Sequence, residues 1–382
     1  MRQTRAHIDL DALDHNLHVV RSRTHKAEVL AMVKANAYGH GLIPISRHLL
    51  SRGVEHLGVA FVDEARDLRQ AGVTGSIIVM IPPHLHEVND VVDLDLTTVV
   101  GDVAEASALS EAARAKGQRA RIHVYVDTGM RRDGIRPEHI LDVLHEIDNL
   151  HGLDVEGLCT HFATSDEPHS PFLQEQLSSF LSVVESTRAQ GRTFRHIHAA
   201  NTGAIWQNVA QDFTLVRPGM SLYGYASPGA DAQPLRPVLS ITSQVLSLRT
   251  VWPGESVSYG RRWISPTQTT IATIPIGYGD GYARGLSGKA FVLIGGERYP
   301  VVGTICMDEC MVDVGNAPVA VGDTVVILGM QPRPDGHLQS IDATDIAEWG
   351  STIPYEVTTA FSARIPRLYS GSSSTSQEVG NV

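Results

Sequence analysis

At 382 residues the chain is long for one ordinary domain and suits a barrel of about 250 residues plus a smaller unit. Hydrophobic residues make up 42% and charged residues 19%, which excludes a mostly disordered chain, and the net charge of −11 argues against broad nucleic-acid binding, which needs clustered Lys and Arg. Cys159, Cys306 and Cys310 are too few for a disulfide framework, and Cys306 and Cys310 lack the partners of a structural zinc site.

The N-terminal MRQTRAHIDLDALDHNL is interrupted by charges and lacks a signal peptide's apolar centre. No long apolar run free of charge and breakers follows, so a soluble, cytoplasmic chain with no membrane partner is expected. A strand over 4–10 and a helix starting at Asp11 come first. Eight short apolar runs follow, at 28–35, 56–60, 76–80, 97–100, 121–127, 155–162, 196–201 and 213–220. Their length and Val/Ile content predict buried strands. Helical periodicity fills the gaps at 43–52, 62–71, 84–93, 102–116, 137–149, 170–190 and 203–209. In 102–116, Asp102 is placed to cap and Gly117 to terminate. This alternation predicts a parallel (β/α)₈ barrel, with a doubly wound open sheet as the alternative. After about residue 235 the chain is β-rich, with Gly and Pro at its breaks. Gly295-Gly296 signals a hairpin turn, and a helical pattern returns only at 341–363. The fold class is therefore α/β: a barrel over 10–235, then a mainly antiparallel β domain over 236–371. The strand within 1–9 is expected to pair with that second domain. The polar tail 372–382 is expected to be disordered.

Barrel chemistry sits at the C-terminal ends of strands. There the sequence places Lys34, then Asp127 to Arg132, Thr160-His161, His198, Asn201-Thr202-Gly203 and Arg217-Pro218-Gly219. A lysine ending a buried strand is either paired in a salt bridge or functional, because an unpaired buried ammonium costs several kcal/mol. The small residues after the last two strands suit phosphate, or simply turn chemistry. A nucleophilic lysine opposite a phosphate site suggests pyridoxal phosphate (PLP), whose aldehyde condenses with lysine, but also a cofactor-free Schiff-base aldolase. Arg217 fits a partner of the PLP pyridine nitrogen, and equally a structural ion pair.

Nine segments in order then carry a resemblance: VKANAYGHG (33–41), DTGM-R-x-x-G (127–134), THFATSD (160–166), HAAN (198–201), RPGMSLYG (217–224), SYGRRW (258–263), PIGYGDGY (275–282), GTICMD (303–308) and PYEV (354–357). Over residues 4–369 the chain resembles the PLP-dependent, fold-type-III alanine racemases. The resemblance implies a PLP-binding barrel, a β domain and a homodimer whose sites are shared between subunits. It implies that Lys34 holds the cofactor and acts as one base, and that Tyr259, from the partner subunit, is the second. Arg217 would face the pyridine nitrogen, His161 would link Arg217 to Tyr259, and Arg132 would sit near the substrate carboxylate. Tyr38, Asn201, Thr202, Gly219, Met220 and Tyr355 would hold the cofactor. Met307, Tyr278 and Tyr355 would contact the substrate or line its entrance. The implied substrate is alanine, with serine or another small amino acid as the alternative, or a catalytically altered PLP-binding relative.

Four departures surround the substrate end. Arg131 and Asp133 stand where the family has glycine and an apolar residue. Tyr125 stands where many members carry a modified lysine that helps hold the arginine, so Asp133 or a bound anion is expected to supply the missing negative charge. Pro354 stands where asparagine is usual. A PLP-dependent decarboxylase of similar architecture is disfavoured by Tyr259 and Arg217. A barrel-only PLP carrier is disfavoured by residues 236–369.

Overall fold

A computed structural model describes residues 2–24, 26–209, 213–226 and 235–371. The expected disordered tail, 372–382, lies outside the described residues. The chain divides into two compact units. One comprises Asp14–Ala37 and Gly41–Leu235, the other Met1–Leu13, Tyr38–His40 and Arg236–Val382.

The first unit holds an eight-stranded parallel sheet. Its order is His196–His198, Leu153–Cys159, Ala120–Tyr125, Thr97–Val100, Ser76–Val79, His56–Val59, Glu28–Met32 and Leu215–Val216. Every strand matches an apolar run of the sequence. The two ends meet: Thr214 N–H donates to Ile197 O at 3.0 Å, and Arg217 N–H to Ala200 O at 2.8 Å. The sheet is therefore a closed barrel, not a doubly wound open sheet. Leu30, Leu57, Ile77, Val99, Ile122 and Leu158 are buried, as strands covered on both faces require.

The helices follow the predicted gaps with local differences. Asp102 accepts from Glu105 N–H at 2.8 Å, and Gly117 takes φ +67° beyond the last turn, both as expected. Residues 84–93 form only the short helix Val88–Asp93, and 137–149 begins as a 3₁₀ turn, Pro137–His139. The short helix at 203–209 runs instead over Thr202–Trp206.

The second unit is a mainly antiparallel ten-stranded sheet. The strand Arg5–Asp9 pairs antiparallel with Leu239–Gln244 and parallel with Arg367–Ser370, so the N-terminal strand does join the C-terminal sheet. The helix after it is Leu10–Arg23, capped by Asp9 rather than started by Asp11: Asp9 Oδ1 accepts from Asp11 and Ala12 N–H. Gly295 and Gly296 have φ +59° and +80° and join Phe291–Ile294 to Glu297–Val302 as a two-residue hairpin, the pairing of positive φ values that a type I′ turn requires. The pattern at 341–363 divides into Ala343–Gly350 and Pro354–Ala360, separated at Ser351 in the left-handed region. No described helix is long and apolar enough to cross a membrane.

Candidate active site

Lys34 follows the first barrel strand, where Val33 N–H donates to Gly58 O at 2.8 Å. The four residues after it, Ala35, Asn36, Ala37 and Tyr38, all take positive φ, between 52° and 55°. A left-handed turn of non-glycine residues costs about 1–2 kcal/mol per residue, so the surroundings must hold it. Glu64 Oε1 accepts from Ala35 N–H at 2.6 Å, and Asn36 Oδ1 accepts from Leu42 N–H at 2.8 Å. Gly41 N–H donates to Asn36 O at 2.9 Å. Two alanines minimise the steric penalty, and asparagine tolerates the conformation. The turn reverses the chain sharply at the strand's end and fixes Lys34 there. Burial, then the charge of Arg132, lowers the Lys34 pKa; Arg217 adds to this and Glu64 opposes it.

Arg217 is fully enclosed after the last strand. Its Nη1 donates to His198 Nδ1 at 2.7 Å; its Nη2 donates to Thr160 O, Ala199 O and His161 Nδ1 at 2.8, 3.0 and 3.1 Å. Among the described residues no carboxylate pairs with it, so the structural ion pair left open by the sequence is not formed. Arginine can only donate. His161 Nδ1 and His198 Nδ1 must therefore accept, which places their protons on Nε2. His198 Nε2–H then donates to His123 Nδ1 at 2.8 Å. Sequence reasoning did not single out His123. The signal was present as strand parity, since His123 lies two residues before Tyr125, and the strand two places along the sheet carries His196 and His198. His161 is neutral for the same reason that it accepts. Burial first, then Arg217, Arg132 and Lys34, pushes its pKa down to about 3.

Thr202 opens the helix Thr202–Trp206, and its Oγ1 accepts from the Gly219 and Ser221 N–H groups at 3.2 and 3.3 Å. Asn201 caps this helix, its Oδ1 accepting from Ala204 N–H at 3.1 Å. Met220 is buried beside Gly219. Thr202 thus gathers two backbone N–H groups beside the start of this helix, an arrangement that would suit an anion. Arg132 donates to Asp133 Oδ2 at 3.1 Å, so Asp133 does supply a negative charge beside it. Tyr125 lies buried with its hydroxyl under the influence of Arg132, and burial raises its pKa to about 12. Arg131 takes φ +56°, a position that favours glycine, and its guanidinium pairs with Asp127 at 3.1 Å. Burial would raise the Asp127 pKa, but the N–H groups of Arg131 and Gly129 and the Arg131 charge hold it below the ordinary value. Asp127, Arg131, Arg132 and Asp133 line a cleft of about 460 Å³.

The remaining candidates lie in the second unit. Tyr259 sits in a tight turn and is 73% exposed. Thr304 Oγ1 donates to its carbonyl at 2.8 Å. Tyr278 N–H donates to Cys306 O, and Gly279 N–H to Met307 O, at 3.0 and 2.9 Å. These bonds gather Tyr259, Tyr278 and Met307 on neighbouring loops, all three exposed. Buried Asp280 anchors them by binding Arg2 at 2.9 Å and Gly277 N–H at 3.1 Å. Tyr38 and Tyr355 have ring centroids 6.1 Å apart. Pro354 occupies the first turn of its helix, where a missing N–H costs nothing.

The family model for the alanine racemase N-terminal domain matches residues 8–227, and that for the alanine racemase C-terminal domain matches 238–369. The chain belongs to the alanine racemase family. It is an enzyme of that type. An alanine racemase from Treponema denticola is 38% identical over 376 residues, covering 97% of this chain and 98% of that one. One from Cutibacterium acnes is 40% identical over 368 residues, covering 95% and 97%. Among solved structures, an alanine racemase from Clostridium difficile superposes with a TM-score of 0.91 at 32% identity, covering 97% of this chain and 96% of that one. Full-length matches to alanine racemases disfavour both the decarboxylase and the barrel-only carrier.

Proposed function

We propose that the chain interconverts L- and D-alanine with PLP, as a homodimer in which each site uses Lys34 of one copy and Tyr259 of the other. The observation that carries this reading is the set of bonds around Arg217, a buried guanidinium with only neutral partners. Lys34 and Arg132 add two further cations within its electrostatic reach. Such a cluster is complementary to a ligand carrying phosphate, a phenolic oxygen and a carboxylate, and so fits PLP. Lys34 would hold PLP, Gly219, Thr202 and Tyr38 would bind its phosphate, and Tyr355, Asn201 and Met220 would frame it. When bound, PLP supplies the electron sink that acidifies the substrate Cα–H.

Racemisation removes a proton from one face of Cα and returns one to the other. Lys34 Nζ, its pKa lowered by burial and by the charge of Arg132, serves one face as a base. Tyr259 Oη serves the other, so the substrate need not turn over. A phenol needs help to act as a base, since its pKa is about 10. His161, with its proton on Nε2, can donate a hydrogen bond to the phenolate and relay the Arg217 charge. Arg217, which keeps its own proton, would face the pyridine nitrogen of PLP as a hydrogen-bond donor and so disfavour protonation there. The exposure of Tyr259 on a single chain supports a role toward a second copy. Arg132, Met307 and Tyr278 would position the substrate.

The test is proton NMR of the PLP-loaded enzyme in D₂O with alanine, serine and larger amino acids. Cα–H loss with racemisation on alanine is the expected result. Turnover on serine or another amino acid alone would reassign the substrate to the residues around Arg132. No exchange on any, despite bound PLP, would mark a catalytically altered relative.

A further inference from the structure

The opposite end of the barrel carries a group of side chains that racemisation does not use. Glu28, His56 and His196 are the first residues of three barrel strands, Glu28–Met32, His56–Val59 and His196–His198. Their donor atoms lie within 4.8 Å of one another. His56 Nε2 is 3.0 Å from Glu28 Oε2, and His196 Nδ1 is 4.0 Å from the same oxygen. His56 and His196 are buried, while the Glu28 side chain remains 45% exposed. His196 Nδ1 is buried without a hydrogen-bond partner, and 4.0 Å is too long for one. An unsatisfied buried imidazole nitrogen aimed at a carboxylate needs a further partner.

We propose that Glu28, His56 and His196 bind a divalent transition-metal cation, with zinc the best match, at the N-terminal end of the barrel. A tetrahedral zinc with bonds of about 2.0–2.2 Å separates its ligand atoms by about 3.3–3.5 Å. The separations of 3.0 and 4.0 Å to the shared Glu28 oxygen bracket that value, and all three donor atoms lie within 4.8 Å, so side-chain rotation completes the site. Two imidazoles and one carboxylate are a zinc donor set, and nitrogen donors select zinc, nickel or cobalt over magnesium and calcium. His56 would pass its proton from Nε2 to Nδ1 and coordinate through Nε2, so no net proton is lost. The exposed Glu28 side admits the ion and leaves a fourth position for water. The backbone holds the ligands in place: Glu28 N–H donates to Thr214 O at 2.9 Å, and strand pairing sets His56 beside Leu30 and His196 beside Gly157. Arg195 acts against a cation here, and the Glu28 carboxylate acts for it. His123 and Glu156 form a second group with His196, but His123 Nδ1 accepts from His198, which places the His123 proton on Nε2 and leaves no lone pair there for an ion, and this favours the Glu28 side. The end of a barrel away from its active site is where stability is built, so the ion would act as a clamp across strand starts.

The test uses full-length, untagged holoenzyme, stripped with chelator and titrated with zinc by calorimetry. Cobalt is titrated in parallel to read its visible d–d bands. The expected result is one ion per chain, a four-coordinate cobalt spectrum and a rise in melting temperature with zinc. Glu28→Gln and His56→Gln should each weaken binding about ten-fold or more and abolish the thermal shift, with racemase activity retained. Glu156→Gln should bind as the wild type does. No uptake by the wild type, equal uptake by the Glu28→Gln and His56→Gln variants, or loss of uptake in Glu156→Gln would each overturn the proposal. Glu28 is exposed, so its variant keeps the test interpretable if a buried histidine proves necessary for folding. None of these readouts depends on the racemase assignment.

Discussion

Arg217 Nη2 donates to His161 Nδ1 across 3.1 Å, and this bond determines the charge and tautomer of His161. An imidazole that accepts from a guanidinium cannot also carry a proton on that nitrogen. His161 therefore stays neutral where a free histidine would begin to charge, and its remaining proton faces away from Arg217.

This gives a pH dependence. The folded pKa is depressed to about 3, whereas the unfolded chain binds the proton near 6.5. The His161 contribution to stability is thus complete above about pH 6.5 and is lost as pH falls from there toward about 3. At pH 5.5 the loss is about 1.4 kcal/mol. Urea unfolding of the wild type and His161→Gln at pH 7.5 and 5.5 should show the wild type losing more by that amount. Equal losses would sink the reading.

Lys34→Ala should abolish the absorbance of lysine-bound PLP and reduce racemisation by about 10³-fold or more. Tyr259→Phe should retain PLP but lose interconversion of the enantiomers, with Cα–H exchange surviving from one enantiomer only. Mixing the two inactive variants under subunit exchange should restore activity through hybrid dimers. Absence of rescue would place both bases in one chain.

Gly203 lies in the first turn of the helix that starts at Thr202. A Cβ there would lie 2.3 Å from the Ser165 carbonyl oxygen, which is backbone and cannot swing aside. Gly203→Ala should cost about 1–3 kcal/mol of stability and weaken PLP binding by shifting Thr202. A melting curve and a PLP titration check the two effects. An unchanged PLP affinity would separate this turn from the phosphate site.

Ala35 sits at φ +52° in the turn after Lys34. In a right-handed helix Ala→Gly costs about 1 kcal/mol, but here glycine relieves a comparable steric penalty. Ala35→Gly should leave the unfolding free energy within about 1 kcal/mol of wild type while lowering kcat, because Lys34 loses its rigid support. A large destabilisation would mean that the left-handed turn carries no strain.

The sequence alone was enough for the barrel strands, because each is a short apolar run bounded by helical periodicity. It was enough for Gly295-Gly296 too, since two positive φ values in sequence demand glycine. Lys34 stood out because charge at the end of a buried strand is costly, Arg217 because an arginine can partner the PLP pyridine nitrogen, and the ordered motifs extended the candidates to Tyr259 and Met307. It did not reveal the left-handed run from Ala35 to Tyr38, whose residues would ordinarily favour a right-handed helix and are held by Glu64 and Leu42 from outside. Nor did it reveal the chain from Arg217 through His198 to His123, or the gathering of Glu28, His56 and His196, residues far apart in sequence. Local patterning records burial and turns, which depend on near neighbours. Which strand starts meet, which nitrogen accepts and which charge is left without a counterion depend on barrel closure, so only the tertiary structure decides them.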